Sequence, residues 1–246
     1  MHRQSLIEYA APLQATEAPT PTPQGTEVLL RVTHCGVCHS DLHLQDGYFD
    51  LGGGQKLDVR GSRQLPFTFG HEIAGTVEAA GPDAQGVDKN KRYAAFPWIG
   101  CGKCGLCARG DEHICNAPRA LGITVDGGYA THCLLPEACL IALPSAVSFV
   151  QGAAATDAGQ TSHAALMRAG ELRAGMKVGI IGLGGLGMTG ARLAVLYGAE
   201  VWAAGGRLDT GGRCGVGMFG CGTGSAAVRV VARGRAHVGQ PHRGLP

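Results

Sequence analysis

Four cysteines inside fifteen residues constrain this chain more than any other feature. They are Cys101, Cys104, Cys107 and Cys115, spaced Cys-Gly-Lys-Cys-Gly-Leu-Cys and then seven residues to the last. Thiols crowded this closely suit a tetrahedral zinc ion, which prefers sulfur and, in a structural site, has all four positions closed. Glycines between the ligands let the backbone wrap around an ion. An iron–sulfur cluster is the rival reading, but the bacterial spacing closes with three intervening residues and a following proline, whereas here the gap is longer and Asn116 follows. Disulfides or free thiols are the remaining alternative. The N-terminus, with acidic and polar residues where a secretory leader needs an unbroken apolar core, argues against an oxidising compartment. A cytoplasmic location is therefore expected.

A formal charge of +2 argues against a nucleic-acid or membrane-surface partner, and no stretch approaches the apolar length of a membrane span. Residues 1–150 read as an all-β region. Val28–Val32, Ile73–Ala80 and Tyr129–Leu135 are strand candidates, the last entered through Asp126-Gly127-Gly128. Residues 19–23 and Gly52–Gly54 read as loops. From about residue 151 the texture changes. Ala153–Ala169 is helix-compatible, although Gly159 interrupts it. Lys177–Ile181 reads as a strand, Met188–Tyr197 as a helix and Val201–Ala204 as the next strand, the opening of a doubly wound α/β fold.

The turn between that strand and helix is Gly182-Leu-Gly184-Gly185-Leu186-Gly187. A bare G-x-G-x-x-G is weak, but a strand before it and a helix after it are the context that identifies a dinucleotide site. The first glycine permits the tight turn, the second lets the backbone approach a pyrophosphate, and the third allows close helix–strand packing. An acid for the ribose hydroxyls is expected about twenty residues further on. Gly205 and Gly206 stand there instead.

A second donor set is scattered. Cys38 lies in Cys35-Gly-Val-Cys38-His39-Ser40-Asp41, and His71 and Glu72 follow Gly70. A Cys/His/acid set with one open position is the pattern of catalytic zinc. Each residue alone has a plainer reading, Cys38 as a small buried side chain and His71 as a structural group. Asp157, the third candidate, equally suits a helix cap.

Taken in order, Cys-Gly-Val-Cys-His-Ser-Asp, Gly-His-Glu, the cysteine lobe, Asp126-Gly-Gly-Tyr-Ala and the glycine turn resemble the zinc-containing alcohol dehydrogenases of the medium-chain dehydrogenase/reductase superfamily. The resemblance runs from about residue 4 to 204. It implies an α/β plus β architecture, a GroES-like β-barrel catalytic domain (1–150) followed by a Rossmann-type dinucleotide-binding domain from 151, incomplete here, with the active site between them. It implies two Zn2+ per chain, one structural at the four cysteines and one catalytic at Cys38, His71 and Asp157. Asp157 departs from the commoner cysteine at that position but resembles the Asp-bearing bacterial secondary-alcohol branch. Glu72 would be a neighbouring carboxylate that coordinates the metal transiently. Ser40 would be the proton-relay hydroxyl and His43 its outer base, the plainer readings being a turn cap and a surface residue. The cofactor would be NAD, with NADP left open by the lost acid position, and the substrate a small alcohol or aldehyde. A homo-oligomer assembled through the Rossmann domain is also implied, an assembly that truncation undercuts.

Past Ala204 the pattern breaks. Residues 205–246 are rich in Gly and Arg, lack lysine, and contain Asp209 as their single acid. Such a segment is not expected to complete a parallel sheet or to be natively folded. It reads as a shifted frame of a GC-rich gene, with a natural basic tail as the alternative. Weak or no dinucleotide binding is expected. The functional readings are three: an NAD-dependent alcohol dehydrogenase by descent, inactive if the domain stays incomplete; a related zinc polyol dehydrogenase or NADPH-dependent aldehyde reductase; and a non-catalytic zinc-binding remnant.

Overall fold

The computed structural model describes residues 1–208 and 214–221, the stretch from 205 on as backbone only. It divides into two compact units, Met1–Asp157 and a second beginning at Ala158. The first is organised by an antiparallel five-stranded sheet of β1 (Glu27–Gly36), β2 (Glu72–Ala80), β3 (Arg92–Ala95), β4 (His132–Pro136) and β5 (Leu140–Ala142), in the order β4-β1-β2-β3-β5. Val28 and Leu30 alternate inward from β1 and meet Ile73, Val77, Tyr93, Leu121 and Leu135 in one core. Each such side chain, fully buried, stabilises by about 1.5–3 kcal/mol. Leu6, Leu44, Phe67 and Phe69 form a second, smaller cluster.

Two irregularities redirect the end of β1. Its register with β2 shifts between Leu29 and Leu30 and again between Val32 and His34. Bulges of this kind bend a strand and turn its end, and here they come just before Cys35 and Cys38. The chain then enters helix α1 (His39–Asp46), which Gly47 closes at φ +85°. This helix lies inside the region whose sequence reads as all-β.

At the far end of the unit, helix α2 (Phe149–Ala154) starts from Ser148, whose hydroxyl accepts the Gln151 amide while the Gln151 side chain accepts the Ser148 amide. A π-helical turn, Ala155–Gly159, succeeds it, then α3 (Gln160–Ala164) and a second π turn, Ala165–Ala169. The helix expected over 153–169 is therefore present but alternates between two pitches.

In the second unit β6 (Lys177–Ile181) pairs in parallel with β7 (Glu200–Leu208) across helix α4 (Gly185–Leu196). Leu172, Ala191, Ala194, Ala199 and Val201 form its core. Of the segment 205–246, only 205–208 and 214–221 are described. β7 runs on from Ala204 to Leu208, and β8 (Cys214–Cys221) pairs with it antiparallel, Val201 opposite Cys221. Ladder pairing uses backbone groups, so a Gly-rich segment without apolar alternation can still add a strand. The remainder of that segment, with Asp209, lies outside the described residues. No helix among the described residues is long and apolar enough to cross a membrane.

Candidate metal centres and dinucleotide turn

Cys38 is held by the cap of α1. Its sulfur accepts the Ser40 amide at 3.5 Å, and its own amide donates to Asp41 Oδ2 at 3.0 Å, a reciprocal cap built on a cysteine. His71 enters β2 after Gly70, which sits at φ +95°, where a Cβ would come within 2.6 Å of the Tyr129 ring and 2.7 Å of Cys35 Sγ. Only glycine fits there, and the constraint delivers His71 to the site.

The donors meet. One ligand atom from each of Cys38, His71, Glu72 and Asp157 lies within 4.8 Å of every other. The Cys38 thiol donates to Asp157 Oδ2 at 3.1 Å, and His71 Nε2 is 3.9 Å from the same oxygen. Asp157 falls inside the π turn, so the backbone there is widened at the point where the carboxylate is presented, a placement π turns often have at functional sites. Burial raises the Glu72 pKa, and the charge of Asp157 raises it further. A thiol, two acids and an imidazole compressed in this way fit a divalent cation with N, S and O ligands.

Behind this set stand two residues to which the sequence reading gave no role. Asp41 is 4% exposed and so is His71. Asp41 Oδ1 faces His71 Nδ1 at 3.4 Å, while its Oδ2 accepts from Tyr129 Oη at 2.7 Å. Burial pushes Asp41 up, but the His71 ring beside it and hydrogen bonds from Tyr129 and the Cys38 amide outweigh it and hold the carboxyl below its ordinary value. Burial likewise opposes charge on His71, yet the Asp41 and Cys38 contacts raise it to about 10. Nδ1 faces the carboxylate at ion-pair distance without a well-aligned hydrogen bond, and Nε2 is left toward the cluster, the carboxylate–imidazole placement that orients metal-binding histidines. The C-x-x-D capping pattern of Cys38 and Asp41 was a usable sequence signal for one of the two; Tyr129 had none.

The four-cysteine group also closes on itself. Sulfur separations are 3.5 Å for Cys104–Cys107, 3.8 Å for Cys104–Cys115 and 3.9 Å for Cys101–Cys107. Zn–S bonds of about 2.3 Å in a tetrahedron give edges of about 3.8 Å, so the group is already spaced for the ion. The Cys101 and Ala117 amides donate to Cys115 Sγ. Backbone amides, Cys107 first, lower the Cys104 thiol to about 6, while burial pushes Cys107 up to about 12. The eight cysteines whose side chains are described are free.

Ser40 lies in the first turn of α1 and His43 one turn on, its ring half-buried between His39 (4.9 Å) and Phe49 (5.0 Å). In the second unit Gly182 turns at φ +92° out of β6, Gly184 caps α4, and Gly185, Leu186 and Gly187 form its first turn. A Cβ on Gly187 would fall 1.8 Å from the Gly182 carbonyl oxygen. Ser162 Oγ donates to the Leu186 carbonyl at 2.9 Å and ties the turn to α3.

Residues 24–145 match the alcohol dehydrogenase GroES-like domain. The NAD-dependent alcohol dehydrogenase of Sulfurisphaera tokodaii is 38% identical over 186 residues, 75% of this chain and 52% of the relative. An alcohol dehydrogenase of Geobacillus stearothermophilus is 34% identical over 198 residues, 80% and 55%. Among solved structures, an NAD-dependent alcohol dehydrogenase superposes with TM-score 0.75 at 26% identity over 84% of this chain and 58% of the other. The alcohol dehydrogenase of Aeropyrum pernix superposes with TM-score 0.70 at 30% identity over 82% and 58%. The chain spans about half the length of the curated relatives it matches.

Proposed function

We propose, for a chain that belongs to the zinc-type medium-chain alcohol dehydrogenase family, that its chemistry is oxidation of a small alcohol to an aldehyde or ketone, with hydride passed to NAD. The observation that carries this reading is the convergence of Cys38, His71, Glu72 and Asp157 within 4.8 Å. Cys38, His71 and Asp157 would hold the catalytic zinc, with Glu72 the adjacent carboxylate, and Cys101, Cys104, Cys107 and Cys115 would hold a structural one. Zinc, when bound, supplies a Lewis acid that makes a coordinated hydroxyl easier to deprotonate. The chain's own residues do the rest. Asp41 and Tyr129 fix the His71 ring, Ser40 takes the hydroxyl proton beside Cys38, and His43, on the same helix, passes it outward. The turn Gly182–Gly187 offers backbone amides and a helix N-terminus to the pyrophosphate.

The domains read as a GroES-like unit over 1–150 and the start of a Rossmann unit over 151–204. Its described sheet has a single parallel pair, β6 with β7, which supports weak dinucleotide binding. The antiparallel β8 occupies the β7 edge, one of the two on which a doubly wound sheet adds further parallel strands. That observation favours a second reading, a zinc-binding chain that does not turn over. A cytoplasmic location, away from membranes, fits both.

The test is zinc content per chain alongside NADH formation from ethanol, 2-propanol and sorbitol. Two zincs with turnover are expected if the first reading holds, and preference for sorbitol would move it to the polyol branch. Two zincs without turnover on any of the three would leave the second reading. Absence of the second zinc would refute both.

A further inference from the structure

A helix can place a ligand no better than its own first turn is anchored, and the anchor of α2 is unusual. Arg92, on β3, donates from Nη2 to the carbonyls of Pro144 (2.8 Å) and Ser145 (3.0 Å), the stretch that leads into the helix. Its guanidinium stands 5.5 Å from the ring centroid of Phe149, the first residue of α2, within cation–π range. His34, on β1, stacks on the same ring at 6.0 Å and 16°. Two strands of the sheet thus grip the opening residue of one helix. Further along, Gly152 leaves no slack: a Cβ there would lie 2.7 Å from the Leu143 methyl carbons. Thr156, buried, donates to the Ala153 carbonyl at 2.7 Å and locks the last turn before Asp157.

We infer that Arg92 and Phe149 form a positioning clamp for Asp157, and through it for the metal set at Cys38 and His71. The inference rests on the reading of Asp157 as a metal ligand. Phe149 to Asp157 is eight residues, about 12 Å of helix at 1.5 Å rise. A tilt of about 5° at Phe149 therefore displaces the Asp157 carboxylate by about 1 Å, twice the tolerance of about 0.5 Å within which a preorganised site must hold its groups. Arg92 meets Pro144, Ser145 and the Phe149 ring, and Phe149 meets His34, so both act through the start of the helix.

The four-cysteine site supplies an internal control, because it lies on a different segment of the same unit. Zinc-loaded full-length chain is mixed with a chromogenic chelator, and the release of each metal is followed as a separate kinetic phase, with thermal unfolding recorded in parallel. Asp157→Asn identifies the phase that belongs to the Cys38 site. Arg92→Ala and Phe149→Leu are each expected to accelerate that phase by about ten-fold, the lower end of the range for outer-shell support of a metal ligand, and to leave the other phase unchanged. Arg92→Lys, which keeps the cation and one carbonyl bond, is expected to restore most of the native rate. Native release of both metals in Arg92→Ala and Phe149→Leu, or equal acceleration of both phases, would overturn the clamp. If Asp157→Asn itself released both metals at native rates, the ligand reading would fall first and the clamp with it.

Discussion

Asp41→Asn separates the orientation of His71 from the cap of α1. In the native chain Asp41 Oδ2 receives two donors, Tyr129 Oη at 2.7 Å and the Cys38 amide at 3.0 Å, and Oδ1 faces His71 Nδ1 at 3.4 Å. The substituted amide has one acceptor oxygen. Both donors converge on the Oδ2 position, and leaving either buried and unmet costs about 1–3 kcal/mol, so the oxygen settles there. The amide NH2 then points at His71 Nδ1, which must become an acceptor. The proton of the neutral ring then belongs on Nε2, the nitrogen turned toward Asp157, rather than on Nδ1, and a protonated nitrogen cannot bind metal. The expected loss is about 10–100-fold in zinc affinity at this site, or about 1.4–2.7 kcal/mol. The cap of α1 survives, because both Oδ2 bonds are kept, while the metal-free chain loses the buried Asp41–His71 pair and its unfolding temperature is expected to fall. Equilibrium competition with a chelator reads the affinity, and the four-cysteine site again serves as reference. Affinity within a factor of two of native would refute the tautomer argument.

Gly187→Ala puts a methyl 1.8 Å from the Gly182 carbonyl oxygen, so the turn must open; loss of any NADH fluorescence enhancement and a lower unfolding temperature are expected. Gly70→Ala strains a φ of +95° and drives into the Tyr129 ring, and is expected to cost about 1–3 kcal/mol of stability together with the zinc at Cys38. Burial pushes the Cys133 thiol up to about 12 and Cys139 up to about 11, against an ordinary 9.0. Both are neutral at pH 8 and are expected to resist alkylation until denaturant is added. The unfolded thiols ionise from about pH 9 upward, so the stability these two contribute is present below that pH and falls above it; denaturant midpoints at pH 8 and 10, compared with a Cys133→Ala chain, check the sign. Stripping metal with a strong chelator is expected to lower the unfolding temperature of the Cys101–Cys115 lobe, measured by calorimetry.

The two metal groups show what a sequence does and does not carry. Cys101 to Cys115 were legible as a unit because their proximity is local: short glycine-bearing spacers leave few ways to separate them. Cys38, His71 and Asp157 come from a helix cap, a strand entry and a π turn, and no spacing rule links such pieces; the motif resemblance gathered them. Asp41 and Tyr129 were passed over because their importance is a buried contact between residues 88 positions apart. Helix α1 was hidden since it buries only Leu44 among its apolar residues, leaves Leu42 50% exposed, and is capped by a cysteine rather than by Ser or Thr. The start of α4 was set three residues late, at Met188, because glycines have the poorest helix propensity after proline, and tertiary packing of Ala191 and Ala194 overrides it. β8 had no apolar alternation to announce it.

The widened turn that presents Asp157 also constrains chain length. An α-helix turns about 100° per residue, so deleting or adding one residue between Phe149 and Asp157 swings the carboxylate to another face, whatever the composition of the segment. The glycines Gly52–Gly54, which have nothing within reach of an added Cβ, sit at a hairpin tip where insertions are absorbed. Two segments of this unit therefore obey opposite rules: at the hairpin length can drift while the five-stranded sheet stays intact, and between Phe149 and Asp157 almost any exposed side chain can change so long as the residue count does not.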